Sequence, residues 1–302
     1  MTGNRAWLTP GGPYDVPEHE YHADRTALSS SGARTLAQYC PEKFAYEREH
    51  GRPDKPHFDE GRAAHAEVLG IGAPLYVPRD KDGDPYAEWR TDDAKAQVKA
   101  ARARGETPVK DVVAKRVAAM ARKLREHETA GPLLARPGKA EQTFVARDTD
   151  TNVLCKTRVD WMPDVEPGER LILVDYKGTT CAHPAAFERR MAELGYDQQG
   201  AFYRAVLMRR YQLEVPPVFV LIAQEKEPPY LVSVDEPEGW VLDGAHELNR
   251  EALRIYAECD RTGVWPGYDP KPHRLGVPGW RAAEYEAAYT RRRDAALIGV
   301  PA

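Results

Sequence analysis

The stretch 171-LILVDYKGTT-180 runs four aliphatic residues straight into an acid, an aromatic, a lysine and a glycine followed by two threonines. A short, unbroken aliphatic run of this kind reads as a strand buried in the middle of a sheet. Side chains alternate along a strand, so Leu171, Leu173, Asp175 and Lys177 share one face, and Ile172, Val174 and Tyr176 share the other. The acid and the lysine therefore leave the strand end in the same direction. Burying a charge there is costly unless it is paired or bound to a metal, so Asp175 needs compensation.

The preceding segment supplies a second acid. EQTFVARD (141–148) and VLCKTRVDWM (153–162) alternate as two strands joined by the turn DTDTN. Within 155-CKTRVDW-161, Cys155, Thr157, Val159 and Trp161 fall on one face, and Lys156, Arg158 and Asp160 on the other. Two carboxylates brought together repel each other unless a divalent cation lies between them, and hard oxygen ligands suit Mg²⁺ or Mn²⁺. Lys177 is then placed to orient or deprotonate a water, or to stabilise negative charge developing on a phosphate. An isolated D-x-K triplet also describes a solvated strand end. What sharpens it is Asp160, ending the previous strand about fifteen residues earlier.

Outward from this centre the chain reads as α/β, a mixed sheet flanked by helices with a helical N-terminal elaboration. The first thirty or so residues, rich in Gly, Pro and Tyr, read as an extended arm. A serine-capped helix is expected at 29-SSSGARTLAQYC-40, with Pro41 restarting or kinking it, and another at 58-FDEGRAAHAEVLG-70. Residues 78–89 read as a loop, followed by helices near 91–104 and 108–127. After the strand at 171 come helices near 184–193 and 196–211, strands PVFVLIAQE and PYLVSVD, and a long helix over 237–260. The expected organisation is a single domain, 1–302, with arm and first helix in 1–60, the core in 61–235 and a C-terminal helix and tail in 236–302.

Composition sets the bounds. The 302 residues are 42% hydrophobic and 30% charged, an ordinary globular balance. No apolar run approaches the roughly 18 residues of a membrane span, and the N-terminus lacks a signal-peptide core, so a cytoplasmic protein of a bacterium or phage-infected host is expected. The four cysteines lie far apart with no zinc spacing and read as reduced thiols. A net charge of −4 argues against a surface of uniform positive potential but leaves room for a local basic groove. The run 80-DKDGD-84 lacks the spacing and the closing glutamate of an EF-hand and reads as a turn.

With Asp160 as first acid, Asp175 as second and Lys177 as lysine, the pattern resembles the PD-(D/E)XK nuclease superfamily. The G-x-x-x-H of 61-GRAAH-65 is similar to the helix histidine of the RecB-like branch, and the Q-x-x-x-Y of 199-QGAFY-203 to that branch's fourth motif. The YHA…LSSS opening, the Pro41-to-Phe44 step and the WPGY…LGVPGW stretch from Trp265 to Trp280 resemble RecE-type exonucleases, the exodeoxyribonuclease VIII group. The resemblance implies that His65, Asp160, Asp175 and the Tyr176 carbonyl hold Mg²⁺, with Mn²⁺ as substitute. It implies that Lys177 activates water, and that Gln199 and Tyr203 steady the carboxylates and meet the DNA backbone, simple packing being the alternative for this pair.

Glu141 is either a further acid of the site or a surface residue, and Lys156 and Arg158 either meet phosphates or pair at the surface. His65, on an apolar helix face, otherwise reads as a core histidine. No iron–sulfur cluster is expected, since only Cys259 lies in the C-terminal third. The implied activity is digestion of the 5′-ended strand of linear duplex DNA to leave a 3′ overhang for a single-strand annealing partner, by a ring-shaped homo-oligomer. The alternatives are a RecB-like endonuclease or single-strand-specific nuclease, or a non-catalytic DNA-binding accessory protein.

Overall fold

The computed structural model describes residues 7–51, 57–70 and 74–297, with side chains described outside 57–62 and 295–297. In chain order the elements are β1 (Gly11–Tyr14), α1 (Glu18–Ala23), β2 (Leu28–Ser29), α2 (Ser30–Gln38), α3 (Pro41–His50), α4 (His57–Leu69) and β3 (Leu75–Tyr76). Then come α5 (Asp92–Ala103), β4 (Thr107–Pro108), α6 (Asp111–Arg125), α7 (Ala130–Ala135), β5 (Gly138–Arg147), β6 (Leu154–Pro163) and β7 (Ile172–Thr179). The chain continues through α8 (Pro184–Leu194), α9 (Tyr196–Tyr211), β8 (Val218–Glu225), β9 (Val232–Asp235), α10 (Gly239–Thr262) and α11 (Gly279–Leu297). Two compact units result, residues 1–267 and residues 268–302.

In the first unit a seven-stranded mixed sheet runs β1-β5-β6-β7-β8-β9, with β2 added parallel to β6. The β5–β6 hairpin and the β8–β9 pair are antiparallel, whereas β7 and β8 run parallel from Ile172–Val218 to Thr179–Glu225. The α8–α9 pair is the crossover that a parallel connection requires. Alternation along β7 divides the core as its sequence indicates. Leu173 packs with Phe202 and Leu207 of α9 and Leu253 of α10, while Val174 and Tyr176 pack with Ala63 and Ala64 of α4 and Met120 and Leu124 of α6. The strand is thus covered on both faces, which is why it carries so little polarity before Asp175.

Local signals place the helices. Ser29 accepts the Gly32 amide at 3.3 Å and caps α2, and Pro41 occupies the first turn of α3, so the chain stops and restarts there rather than kinking. Gly195, at φ 65°, closes α8 in the left-handed region. Gly200 lets α9 lie close on β8: a Cβ there would sit 2.3 Å from the Phe219 ring. The N-terminal arm is not simply extended. Gly11–Tyr14 pairs antiparallel with β5 and Leu28–Ser29 with β6, so the arm supplies two strands and the short helix between them.

The second unit holds α11, a helix not anticipated from the sequence. Among the described residues no helix is long and apolar enough to cross a membrane.

Candidate active site

The site forms where β6 and β7 diverge. Trp161 pairs with Val174, but further along β7 the Tyr176 amide donates not to backbone but to Asp160 Oδ2, at 2.9 Å. A carboxylate therefore stands in for a rung of the ladder, which fixes its position. On the β5 side the backbone at Glu141 takes φ 53°, a left-handed conformation costly for a residue with a Cβ. That local twist interrupts the alternation of β5 beside Asp160. The Glu141 carboxylate ion-pairs with Arg158, and its Oε1 lies 3.8 Å from His65 Nδ1. His65 arrives from α4, its Nε2 3.2 Å from the Tyr176 carbonyl and 3.7 Å from Asp160 Oδ2.

Asp175 is 1% exposed, on the face of β7 that α9 covers. Gln199 donates its amide to Asp175 Oδ1 at 2.6 Å and to the Tyr203 hydroxyl at 3.0 Å. These two residues, one helical turn apart, form a chain of support from α9 to the acid. Asp175 Oδ2 ion-pairs with the Lys177 ammonium but, though buried, accepts no aligned hydrogen bond. The Lys177 Nζ also lies 4.7 Å from the centre of the Tyr196 ring.

Asp160, Asp175 and Glu141 face His65, Lys177 and Arg158, and protons hold the balance between them. Burial, and after it the neighbouring Asp175 carboxylate, pushes the Asp160 carboxyl up to about 7. Burial alone would lower the proton affinity of His65, but Asp160 and Glu141 outweigh it and raise the imidazole to about 9. Burial likewise opposes the Lys177 charge, yet Asp175 and Asp160 hold its proton affinity above the ordinary lysine value. Burial pushes Glu141 up as well, but His65 and Arg158 bring it below the usual glutamate value. At neutral pH the cluster is kept together by retained protons.

His65, Glu141 and Asp160 offer ligand atoms that all lie within 4.8 Å of one another. Carboxylates with one imidazole, their ligand atoms within reach of one another, and an acid that retains a proton beside a second carboxylate together fit a hard divalent cation. Asp175 stands beside this trio, with its oxygens facing Lys177 and Gln199.

Two expected phosphate-contact residues are placed differently. Lys156 is 3% exposed and donates to Asp24 Oδ2 at 2.9 Å and to the Tyr21 carbonyl at 2.7 Å, binding the arm to the sheet. Strand alternation put it on the face of Asp160 but could not show that the arm covers that part of the face. Arg158 is mostly buried, its guanidinium between Glu141 and the Val16 carbonyl at 3.2 Å, so it orients an acid of the site.

A cleft of about 1000 Å³ opens over the cluster, with His65, Glu141, Asp160, Gln199 and Tyr203 in its wall. The lining also includes Tyr21 and Arg25 of the N-terminal arm, Ser30 at the start of α2 and Arg48 of α3. The role of the arm as a wall was missed because two strands of four and two residues carry no readable period; the YHA…LSSS flank was the available signal.

A mixed sheet bearing an acid on each of two adjacent strands and a lysine two residues past the second defines a PD-(D/E)XK-like fold and site. The chain belongs to the PDDEXK-like domain family of unknown function (DUF3799), which matches residues 58–271, a span that holds every site residue named above from His65 to Tyr203. A crystal structure of a protein from Eubacterium rectale, provisionally described as an exonuclease, superposes with a TM-score of 0.56 at 13% identity, covering 88% of this chain and 96% of that one. At that identity the likeness concerns the fold alone. The crystal structure of SSO0001 aligns over 77% of each chain at 10% identity with a TM-score of 0.32. No curated protein matches the chain.

Proposed function

We propose that the protein is a Mg²⁺-dependent exodeoxyribonuclease of the RecE type, acting on ends of linear duplex DNA. The observation that carries this reading is the convergence of His65, Glu141 and Asp160 in the wall of an open cleft where two strands part, with the buried Asp175–Lys177 ion pair beside them. The fold likeness to a protein described as an exonuclease supports it.

His65, Asp160, Asp175, Glu141 and the Tyr176 carbonyl are the groups that would hold the cation. Bound there, a divalent cation supplies Lewis-acid chemistry, polarising a phosphoryl oxygen and lowering the pKa of water. Gln199, braced by Tyr203, holds Asp175 in one orientation. Lys177 keeps its proton while the Asp175 charge faces it. When that charge is neutralised, Nζ releases the proton more readily and can take one from a water attacking phosphorus in line with the departing 3′ oxygen. The open cleft gives the strand access to these groups.

The proposal extends to polarity and setting: removal of the 5′-ended strand, leaving a 3′ overhang for a single-strand annealing protein, by a ring-shaped homo-oligomer inside the cell. The test is digestion of end-labelled linear duplex against closed circular duplex and single strands, with and without Mg²⁺. Mg²⁺-dependent loss of the linear duplex alone, starting from the 5′ end, is expected. Cutting of closed circles identifies an endonuclease, preference for single strands a single-strand-specific enzyme, and binding without cutting an accessory protein.

A further inference from the structure

The second unit carries a surface with no role in the site described above. Residues 268–302 contain six Lys and Arg against four Asp and Glu, a net charge of +2 in a chain of net −4, leaving −6 on residues 1–267. Four of the six basic residues lie in α11, three of them in the run Arg291–Arg293, against three acids, and residues 279–294 of that helix, GWRAAEYEAAYTRRRD, contain no Leu, Ile, Val or Met. At about 100° per residue, Arg281, Tyr285, Tyr289 and Arg292 fall on one face with Arg293 at its edge, and Glu284, Glu286 and Asp294 fall outside it. Arg281 lies over the Tyr285 ring at 5.2 Å. Tyr285 and Tyr289 are 45% and 72% exposed, with Arg281 covering one face of the Tyr285 ring. The ion pairs of Arg281 with Glu284, at 2.5 Å, and of Arg293 with Asp294, at 3.5 Å, are solvent-exposed and leave both guanidinium groups able to change partner.

From this we infer that α11 is a docking surface for single-stranded nucleic acid, with Arg281, Arg292 and Arg293 on phosphates and Tyr285 and Tyr289 stacking on unpaired bases. Arg281 and Arg292 lie on an acid-free stripe with the two tyrosines, and Arg293 at its edge beside Glu286 adds a third guanidinium group, so the stripe complements a polyanion. Exposed aromatic rings between them suit bases that are not already stacked in a duplex, because every base offers a π face. A surface of arginine and tyrosine also suits a protein partner, and a second copy of the chain is the occupant that the sedimentation measurement below excludes or identifies. The inference does not rest on cleavage: the surface is separate from the carboxylate cluster in sequence, and binding is read with divalent metal chelated.

The experiment is fluorescence anisotropy of a labelled oligothymidylate with the full chain in EDTA, over a series of salt concentrations. Replacing the three arginines together (Arg281→Gln, Arg292→Gln, Arg293→Gln) is expected to weaken binding and to flatten the slope of log K against log salt by about 2, as the loss of three phosphate contacts requires. Tyr285→Ala with Tyr289→Ala is expected to weaken binding at least fivefold with the slope unchanged, and Tyr→Phe at both positions to restore it, since the ring and not the hydroxyl stacks. The phenylalanine pair also controls for helix loss, which circular dichroism checks directly. Oligothymidylate affinity and salt slope unchanged in both the arginine and the alanine variants would overturn the inference. So would weakening confined to duplex, or a change in sedimentation state with strand binding intact, which would make the helix an interface between copies.

Discussion

A buried carboxylate sits at each end of the β5–β6 hairpin, and the two are neutralised in opposite ways. At the turn, Asp148 is 1% exposed, takes the Thr151 amide at 2.9 Å and hydroxyl at 2.7 Å, and ion-pairs with Arg209 of α9, at 2.6 Å, and with Arg250 of α10. Arg250 also reaches Asp150 at 2.6 Å, so two acids meet two guanidinium groups. Burial alone would raise the Asp148 carboxyl, but the Thr151 hydrogen bonds and then Arg250 hold it below the usual aspartate value. At the far end, Asp160 meets Asp175 and Glu141, and its carboxyl is pushed up to about 7. Both are acids in low dielectric. The first is satisfied by the protein itself and clamps two helices to the hairpin, whereas the second retains a proton at neutral pH and stands in a donor set that fits a divalent cation.

The contrast breaks most sharply under mutation. Asp175→Ala is expected to abolish cleavage of linear duplex, a loss of more than about 10³-fold, while thermal stability in the metal-free protein changes little, because relief of the repulsion with Asp160 offsets the lost Lys177 ion pair and Gln199 hydrogen bond. Cleavage at the original rate would remove Asp175 from the site. Asp148→Ala should do the reverse. Arg209 then loses its carboxylate and the buried Arg250 keeps only the exposed Asp150, at a cost of about 3 kcal/mol of stability, visible in urea unfolding, while folded protein keeps its specific activity. An unfolding midpoint unchanged by this substitution would show that the turn cluster is not structural.

Lys177→Met sharpens the comparison from within the site. It keeps most of the stem and removes the proton carrier, so single-turnover cleavage is expected to fall by about 10²-fold with Mg²⁺-dependent DNA binding near normal. Lys177→Arg should not restore the rate, because guanidinium does not release a proton at working pH. An undiminished rate in the methionine variant would leave Lys177 only a counter-ion of Asp175.

The smallest effect concerns pH. The folded-state pKa of Asp148 lies below its ordinary value of 3.8. Its contribution to stability is therefore full above that ordinary value, declines as pH falls toward the folded-state pKa, and is gone below it. The gap in unfolding free energy between the original protein and Asp148→Asn should accordingly narrow below about pH 4, and a gap constant from pH 7 to pH 2 would contradict the pairing.

Much of this was legible in the sequence, for reasons that can be named. The β7 run LILVDYK announced a strand buried on both faces and a charge at its end, and alternation separated Leu173 from Val174 and Tyr176 as the core does. His65, Gln199 and Tyr203 were legible as helix positions because helical spacing is regular. Other features depend on contacts distant in sequence. GGPY and LS become strands only by pairing with β5 and β6. Lys156 is buried because Tyr21 and Asp24 close over it. Glu141 points into the cluster because its backbone is left-handed, which no hydrophobic pattern encodes. The acid at Asp148 was read as part of a turn, since its arginines lie 61 and 102 residues away.

The most direct measurement is a calorimetric titration of the metal-free protein with Mn²⁺, paired with the shift in melting temperature that Mn²⁺ produces. Saturable binding with a rise in melting temperature is expected, since a ligand held only by the folded state stabilises it. Binding should release protons at neutral pH, because the cation replaces those held by His65 and Asp160. Asp160→Asn should lose most of the heat, proton release and stabilisation while remaining folded. Mn²⁺ binding and stabilisation unaltered in Asp160→Asn, or absent from the original protein, would contradict the claim that this end of the hairpin is completed by a cation.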